Sequence, residues 1–277
     1  MQIIRGDDYQ SWVYSNEDDL VVVDPWLTQK QVFPGLNWLL NRNSTTKAYL
    51  LEHNLIDQVT HIIITAHFSD HLDSESMNLF QKDIPVFATH EASKILLKLG
   101  FKNITVVDID KSYDLNSFTL KIYQAGKPYN TTTFSYSLND CRSKVFHEPH
   151  MFNTELKVED VDACINTVDM VRVLGLVQVS MDLKQAQLAQ SILNAKYFIA
   201  TGIAPKRTKG FISYLLSIKE SYKQLDLMPA VCKEVGDSIS LKNLFEIKIV
   251  YYFTKNLCSN HCVICSAMSL IIVIGDI

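Results

Sequence analysis

The sequence has no long run of lysine or arginine. Its 26 basic residues are outnumbered by 30 acidic ones, for a formal charge of -4 and a pI near 6.1. The electrostatic footprint of a dedicated nucleic-acid binder is therefore missing, and no basic path leads a nuclease substrate to a cleft. Neither G-x-x-x-x-G-K nor G-x-G-x-x-G occurs, so nucleotide-loop readings have no support. No repeat of solenoid period is visible. The opening residues, MQIIRGDDYQ, lack a charged leader running into an apolar stretch and lack the Arg- and Ser-rich bias of a transit peptide. A cytoplasmic location is the resulting expectation. Cysteine is sparse: Cys141, Cys164, Cys232, Cys258, Cys262 and Cys265 are scattered in the body and bunched at the tail. That is not a disulfide framework for a chain of this size, and reduced thiols are expected.

What is present is enough apolar material, 47% of 277 residues, for one large domain or two small ones. DDLVVVDPWL reads as a buried strand that stops at Asp24-Pro25, because proline cannot continue a central ladder. The stretch that follows, to about Asn54, is mixed and predicts a flap with a short helix. From His61 the pattern is HIIIT (strand), DSESMNLFQKD (short helix capped by Asp73 or Ser74), IPVFAT (strand) and HEASKILLKLG (helix closed by Gly100). This βαβα order predicts parallel strands with covering helices.

The middle turns antiparallel in character. ITVVD, FTLKIYQAG, TTFSYSL and KVFHEPH are separated by turn-rich loops, and Phe118, Leu120 and Ile122 alternate with polar neighbours. Helical spacing returns over 182–194, a strand over 196–202, and helix again over 208–225. After about Ser240 the character changes, and residues 241–277 read as a divergent apolar, Cys-containing C-terminal extension. Its 20 uncharged residues between Lys255 and Asp276 equal a bilayer's thickness in helix, but Ser259, Asn260 and His261 interrupt them. A strand or an extension is preferred over a membrane anchor. Cys258, His261, Cys262 and Cys265 are read as inert thiols, since a structural zinc site usually shows two separated pairs.

The strongest chemical signal is TAHFSDH, residues 65–71, behind HIII. Together with the upstream VVVDPWL and the downstream FHEPH, it resembles the metallo-β-lactamase-fold superfamily. The nearest branch is the one typified by ascorbate-phosphate lactonases, with their divergent cyanobacterial and plant relatives. The resemblance implies an α/β (α+β) fold, a four-layered αββα sandwich with two mixed sheets, over residues 1–240. It also implies a metal loop of pattern HxHxDH. Asp70 and His71 match its last two positions, while Ala66 and Phe68 stand where the first two histidines belong. His67 lies between them, and a one-residue shift in extended chain turns a side chain to the other face.

By the same resemblance Glu148 takes the place of the bridging acid. The later histidines would fall near Gln124–Pro128 and Thr201-Gly202, where none is found. The implied site is Asp70, His71 and Glu148 with His67 as a further metal donor, Asp70 also serving catalysis, and His147 and His150 as stand-ins. Asp24 would hold the second nitrogen of a ligand histidine, or simply begin a turn. Such a set suits at most one zinc, iron or manganese ion with an open position for water. The alternative is a metal-free site in which Asp70 caps a turn and His71 pairs with Glu148.

Two functions follow as expectations. One is a hydrolase that activates water against a small ester, lactone or phosphorylated molecule. The other is a non-catalytic module whose cleft binds a ligand or partner. Lys206, Arg207 and Lys209 would meet an anionic substrate or form a solvated charge cluster.

Overall fold

The computed structural model describes residues 1–33, 36–158, 160–222 and 232–241. The chain's contacts divide it after Ser240, and everything below concerns Met1–Ser240. The expectations for the tail, its anchor and its cysteines included, fall outside the described residues. The described strands begin with β1 (Gln2–Arg5), β2 (Trp12–Ser15), β3 (Leu20–Val23), β4 (Lys30–Phe33), β5 (Leu40–Asn43) and β6 (His61–Ile64). They continue with β7 (Val86–Ala88), β8 (Ile104–Val106), β9 (Ser112–Leu115), β10 (Phe118–Gln124), β11 (Phe134–Asn139) and β12 (Lys144–Glu148). The last are β13 (Ala163–Thr167), β14 (Met170–Val173), β15 (Val177–Gln178), β16 (Tyr197–Thr201), β17 (Leu216–Lys219) and β18 (Ser238–Ser240). The α-helices are α1 (Tyr49–Glu52), α2 (Ser74–Met77), α3 (His90–Lys98) and α4 (Leu183–Leu193).

Two large sheets result, each mixed. One runs β18-β1-β2-β3-β6-β7-β8, antiparallel as far as β3 and parallel from β3 to β8. The other runs β16-β13-β12-β11-β10-β9, parallel from β16 to β12 and antiparallel beyond. Period-2 alternation decides what each face buries. Val22, Ile62, Ile64 and Val86 turn outward to Leu50 of α1 and to Ala92 and Leu96 of α3. Phe146, Cys164 and Phe198 turn outward to Ala186, Ala189 and Leu193 of α4. The opposite faces meet each other, with the hydroxyls of Tyr14 and Tyr136 2.9 Å apart and Trp12 Nε1 donating to Thr201 Oγ1 at 3.0 Å. The architecture is the αββα sandwich that the resemblance implies.

Local signals account for the helix starts. Asp73 accepts from the Ser76 amide, Thr89 from the Ala92 amide, and Asp182 with Gln185 forms a reciprocal capping box. The α2 segment is a single turn rather than the full stretch to Asp83. The strand at Ile104–Val106 belongs to the parallel edge of the first sheet, not to the antiparallel middle, because α3 returns it beside β7.

The predicted helix over 208–225 is absent from its described part, 208–222. A 3₁₀ turn at Phe211–Leu215 leads into β17, which pairs with β14. Gly210 explains the choice. It has a φ of 114°, and a Cβ there would lie 2.7 Å from the Leu39 carbonyl oxygen, so the backbones of the flap and this segment touch. Phe211 and Ile212 donate to the carbonyls of Trp38 and Leu39, and hydrogen bonds spent across the gap are unavailable to a helix.

The expected flap is the hairpin β4-β5. It is pinned by the buried Arg42, whose guanidinium donates to the carbonyls of Asp8, Ile203 and Ala204 and lies over the Tyr9 ring. Among the described residues Cys141, Cys164 and Cys232 are free thiols, and no helix is long and apolar enough to cross a membrane.

Candidate functional site

Ligands of open parallel sheets sit beyond the carboxyl ends of the strands. Here the parallel halves of both sheets end at one place. Asp24 follows β3, the stretch from Thr65 to His71 follows β6, Glu148 ends β12, and Thr167 and Thr201 end β13 and β16. Each predicted site residue lies at or just past such an end.

Asp24 holds the group together. It sits in the left-handed region (φ 46°), as the chain breaks from the strand before Pro25. Its Oδ1 accepts from the Thr65 amide at 2.8 Å and its Oδ2 from Thr65 Oγ1 at 2.5 Å. The same Oδ2 lies 2.7 Å from His71 Nδ1, and both side chains are fully buried. A carboxylate on one imidazole nitrogen fixes the ring and aims the other nitrogen. That other atom, Nε2, has no hydrogen-bond partner among the described residues and lies 3.7 Å from Asp70 Oδ2.

The metal-free pairing expected from the sequence is thus corrected: His71 pairs with Asp24 rather than with Glu148. Nor does Asp70 cap the following turn; Asp73 does, while the Asp70 carbonyl accepts from Gln10 Nε2.

Electrostatics follow from depth. Burial opposes charge on the His71 ring, yet Asp70 and Asp24 outweigh it, and its pKa lies above the ordinary histidine value. Burial pushes the Glu148 carboxyl up to about 8 against the amides of His150 and Met151. His147 is lowered to about 3 by burial and then by His71, so it is neutral; its Nδ1 lies 2.9 Å from the Tyr136 hydroxyl. Burial likewise keeps His150 neutral, stacked on Tyr129 at 4.1 Å and edge-on to His71 at 4.7 Å.

A cleft of about 990 Å³ opens over this floor. His67, Phe68, Asp70, Tyr129 and His150 line it, while His71, Glu148 and His147 lie behind that lining. Phe68, at a position where the resemblance expects a histidine, packs edge-on to Tyr129 and His150 and makes an aromatic wall. His67 tilts against Phe68 at 4.4 Å and is not drawn to His71.

Sequence reasoning missed Asn166, whose side-chain atoms are buried without partners among the described residues and which stands opposite Glu148 in the parallel register. It also missed Tyr129 and Tyr136. Only the alternation of β11 and β13 points to Tyr136 and Asn166, and alternation does not separate a site face from a core face; Tyr129 lies in the turn between β10 and β11, which carries no such signal. The cations Lys206 and Arg207 are exposed, Arg207 pairing with Asp8 at 2.8 Å.

The donors test the metal reading directly. Among the described residues, most of the buried polar side-chain atoms without partners gather here: His67 Nδ1, His71 Nε2, His147 Nε2, Glu148 Oε2, His150 Nε2 and the Asn166 amide. They are right in kind for a cation. Among the described residues, however, no three His, Cys, Asp or Glu side chains are grouped as a metal cage. Asp70 and His71 are a pair, and a pair falls short of the three protein ligands of a catalytic zinc site. The residues present do not fit a resident metal.

No family model and no curated protein matches the sequence. The fold does match solved structures. A possible metal-dependent hydrolase from Veillonella parvula superposes with a TM-score of 0.64 at 16% identity, over 87% of this chain and 99% of that one. An isothiocyanate hydrolase from Delia radicum gut bacteria gives 0.65 at 13% identity over the same shares. The metallo-β-lactamase fold protein YhfI from Bacillus subtilis gives 0.58 at 11% identity, over 86% and 99%. At these identities the likeness establishes the fold, which is the metallo-β-lactamase fold.

Proposed function

We propose that this chain is a hydrolase of the metallo-β-lactamase fold that cleaves a small ester, lactone or phosphorylated molecule in the cleft, with the Asp24–His71 pair as its proton-handling element. The observation that carries this reading is the clamped His71: one nitrogen fixed by a buried carboxylate, the other free beside Asp70.

In this reading Asp70, which lines the cleft, exchanges a proton with water or a leaving oxygen, and His71 Nε2, 3.7 Å behind it, takes up or returns that proton. Asp24 keeps Nδ1 protonated and stabilises the imidazolium, the division of labour in which a carboxylate orients a catalytic histidine. Asp70 adds negative charge beside Nε2. Glu148, held protonated at neutral pH by its burial, is available as a hydrogen-bond donor. No step passes through a metal, because the donors do not group as one.

A specific observation favours a second reading, a non-catalytic ligand-binding module. Phe68, which with Ala66 stands where the resemblance expects a ligand histidine, builds an aromatic wall. Turnover of a panel of esters, lactones and phosphomonoesters separates the two. Hydrolysis that His71→Ala abolishes supports the first. Cleft binding with no turnover, seen as a ligand-dependent rise in Tm that His71→Ala leaves intact, supports the second.

A further inference from the structure

Three segments beside the cleft present large apolar side chains to solvent. Trp38, in the turn between β4 and β5, is 65% exposed; Tyr214 is 87% exposed and Leu176, between β14 and β15, 83%. Leu174, Val177 and Phe211 are also more than half exposed. The segments form one surface, because their backbones are bonded to each other. Phe211 donates to the Trp38 carbonyl, Leu174 to the Leu215 carbonyl, and Val173 stands opposite Leu216. Single exposed apolar residues need no explanation, but a contiguous set including Trp, Tyr and Phe marks an interaction site.

Charge says what covers it. Arg172 and Lys219 lie on the face of the β14-β17 ladder opposite Val171 and Leu216, which line the cleft. Lys209 sits immediately before Gly210, and all three cations are exposed and in no ion pair among the described residues. The acids on these segments are a buried Asp169 and Glu220, which faces Lys206 at 3.9 Å. A chain of net charge -4 thus gathers cations beside its apolar tips. Aromatic and leucine side chains flanked by lysine and arginine are the composition that seats a protein in the interface of an anionic bilayer. A second copy fits less well, since a two-fold contact sets this patch against itself and brings like charges together.

We infer that this surface docks the chain on a membrane rich in anionic phospholipid. The surface does not depend on the reaction proposed above.

The test uses the full chain and sedimenting vesicles of phosphatidylcholine, with or without phosphatidylglycerol. Binding is expected to the anionic vesicles, to weaken with salt, and to fall by more than about tenfold in Leu176→Asp/Tyr214→Asp. Those two side chains are so exposed that the fold tolerates the change. The unaltered protein supplies a second readout: Trp12 and Trp26 are buried, so Trp38 is the tryptophan that lipid reaches. Its emission is expected to shift to the blue and to be quenched by brominated lipid. Absence of both binding and shift overturns the inference. So does vesicle binding that the double variant leaves undiminished, which places the contact elsewhere in the chain. A dimer that the double variant dissociates, without vesicle binding, overturns it in favour of a second copy.

Discussion

Asp24 Oδ2 and His71 Nδ1 stand 2.7 Å apart in the buried floor of the cleft, though 47 residues separate them in the chain. If this pair handles the proton, His71→Ala lowers kcat by about 100-fold or more and leaves KM nearly unchanged. Asp24→Asn keeps the left-handed backbone, which Asn tolerates, and removes the charge; a smaller loss of about 10- to 100-fold is expected. Steady-state rates on the best panel substrate decide it, and a His71→Ala rate equal to wild type removes His71 from the chemistry.

The donor arrangement makes a prediction about composition. Protein expressed with added zinc, iron and manganese, then dialysed, is expected to hold less than about a tenth of an equivalent of any of them by elemental analysis. A full equivalent that disappears in His71→Ala and in Glu148→Gln would restore the single-ion site on Asp70, His71 and Glu148.

Glu148 links the site to pH-dependent stability. Its folded pKa, about 8, is raised above the ordinary value of 4.5. The folded chain keeps this proton after the unfolded chain has lost it, so stability falls as pH rises. The loss begins near pH 4.5 and is complete above about pH 8. His71, also raised, adds a loss of the same sign as pH climbs through its folded value. Glu148→Gln removes the carboxyl's share, so its Tm should exceed wild type by more at pH 8.5 than at pH 5. An equal difference at both pH values would mean that Glu148 is ionised in the fold.

Arg42 carries the flap. Its guanidinium bonds at 2.7 Å to the Ala204 carbonyl and at 3.2 Å to those of Asp8 and Ile203. Arg42→Ala leaves buried carbonyls without donors and should cost roughly 2–4 kcal/mol in denaturant unfolding. Arg42→Lys should recover only part of this, since an ammonium lacks the planar fork. Loss within a few tenths of a kcal/mol for Arg42→Ala would show the flap to be held by its backbone bonds instead.

Much of the frame was legible because it rests on local rules. The run HIII, the stop at Asp24-Pro25, the cap at Asp73 and the alternation of Phe118 to Ile122 each state a strand or helix boundary by themselves. Asp24 beneath the loop was legible too, through the resemblance. What failed was long-range. The apolar spacing of residues 208–222 suits a helix, but β14 and the Leu39 backbone claim its hydrogen bonds, and no local pattern announces a partner about 40 or 170 residues away. The Glu148 pairing failed for the same reason. Asp24 outcompetes it for His71 through a turn whose geometry the sequence does not spell out.

The left-handed backbone at Asp24 bears on how this site can change over generations. With φ at 46°, the position admits Asp, Asn or Gly at little cost and resists most other side chains. One residue therefore answers two selective demands, the bend after β3 and the grip on His71. A lineage that abandoned the reaction would still find Asp24 cheap to keep, whereas His71 and Asp70, free of such backbone demands, would be lost first.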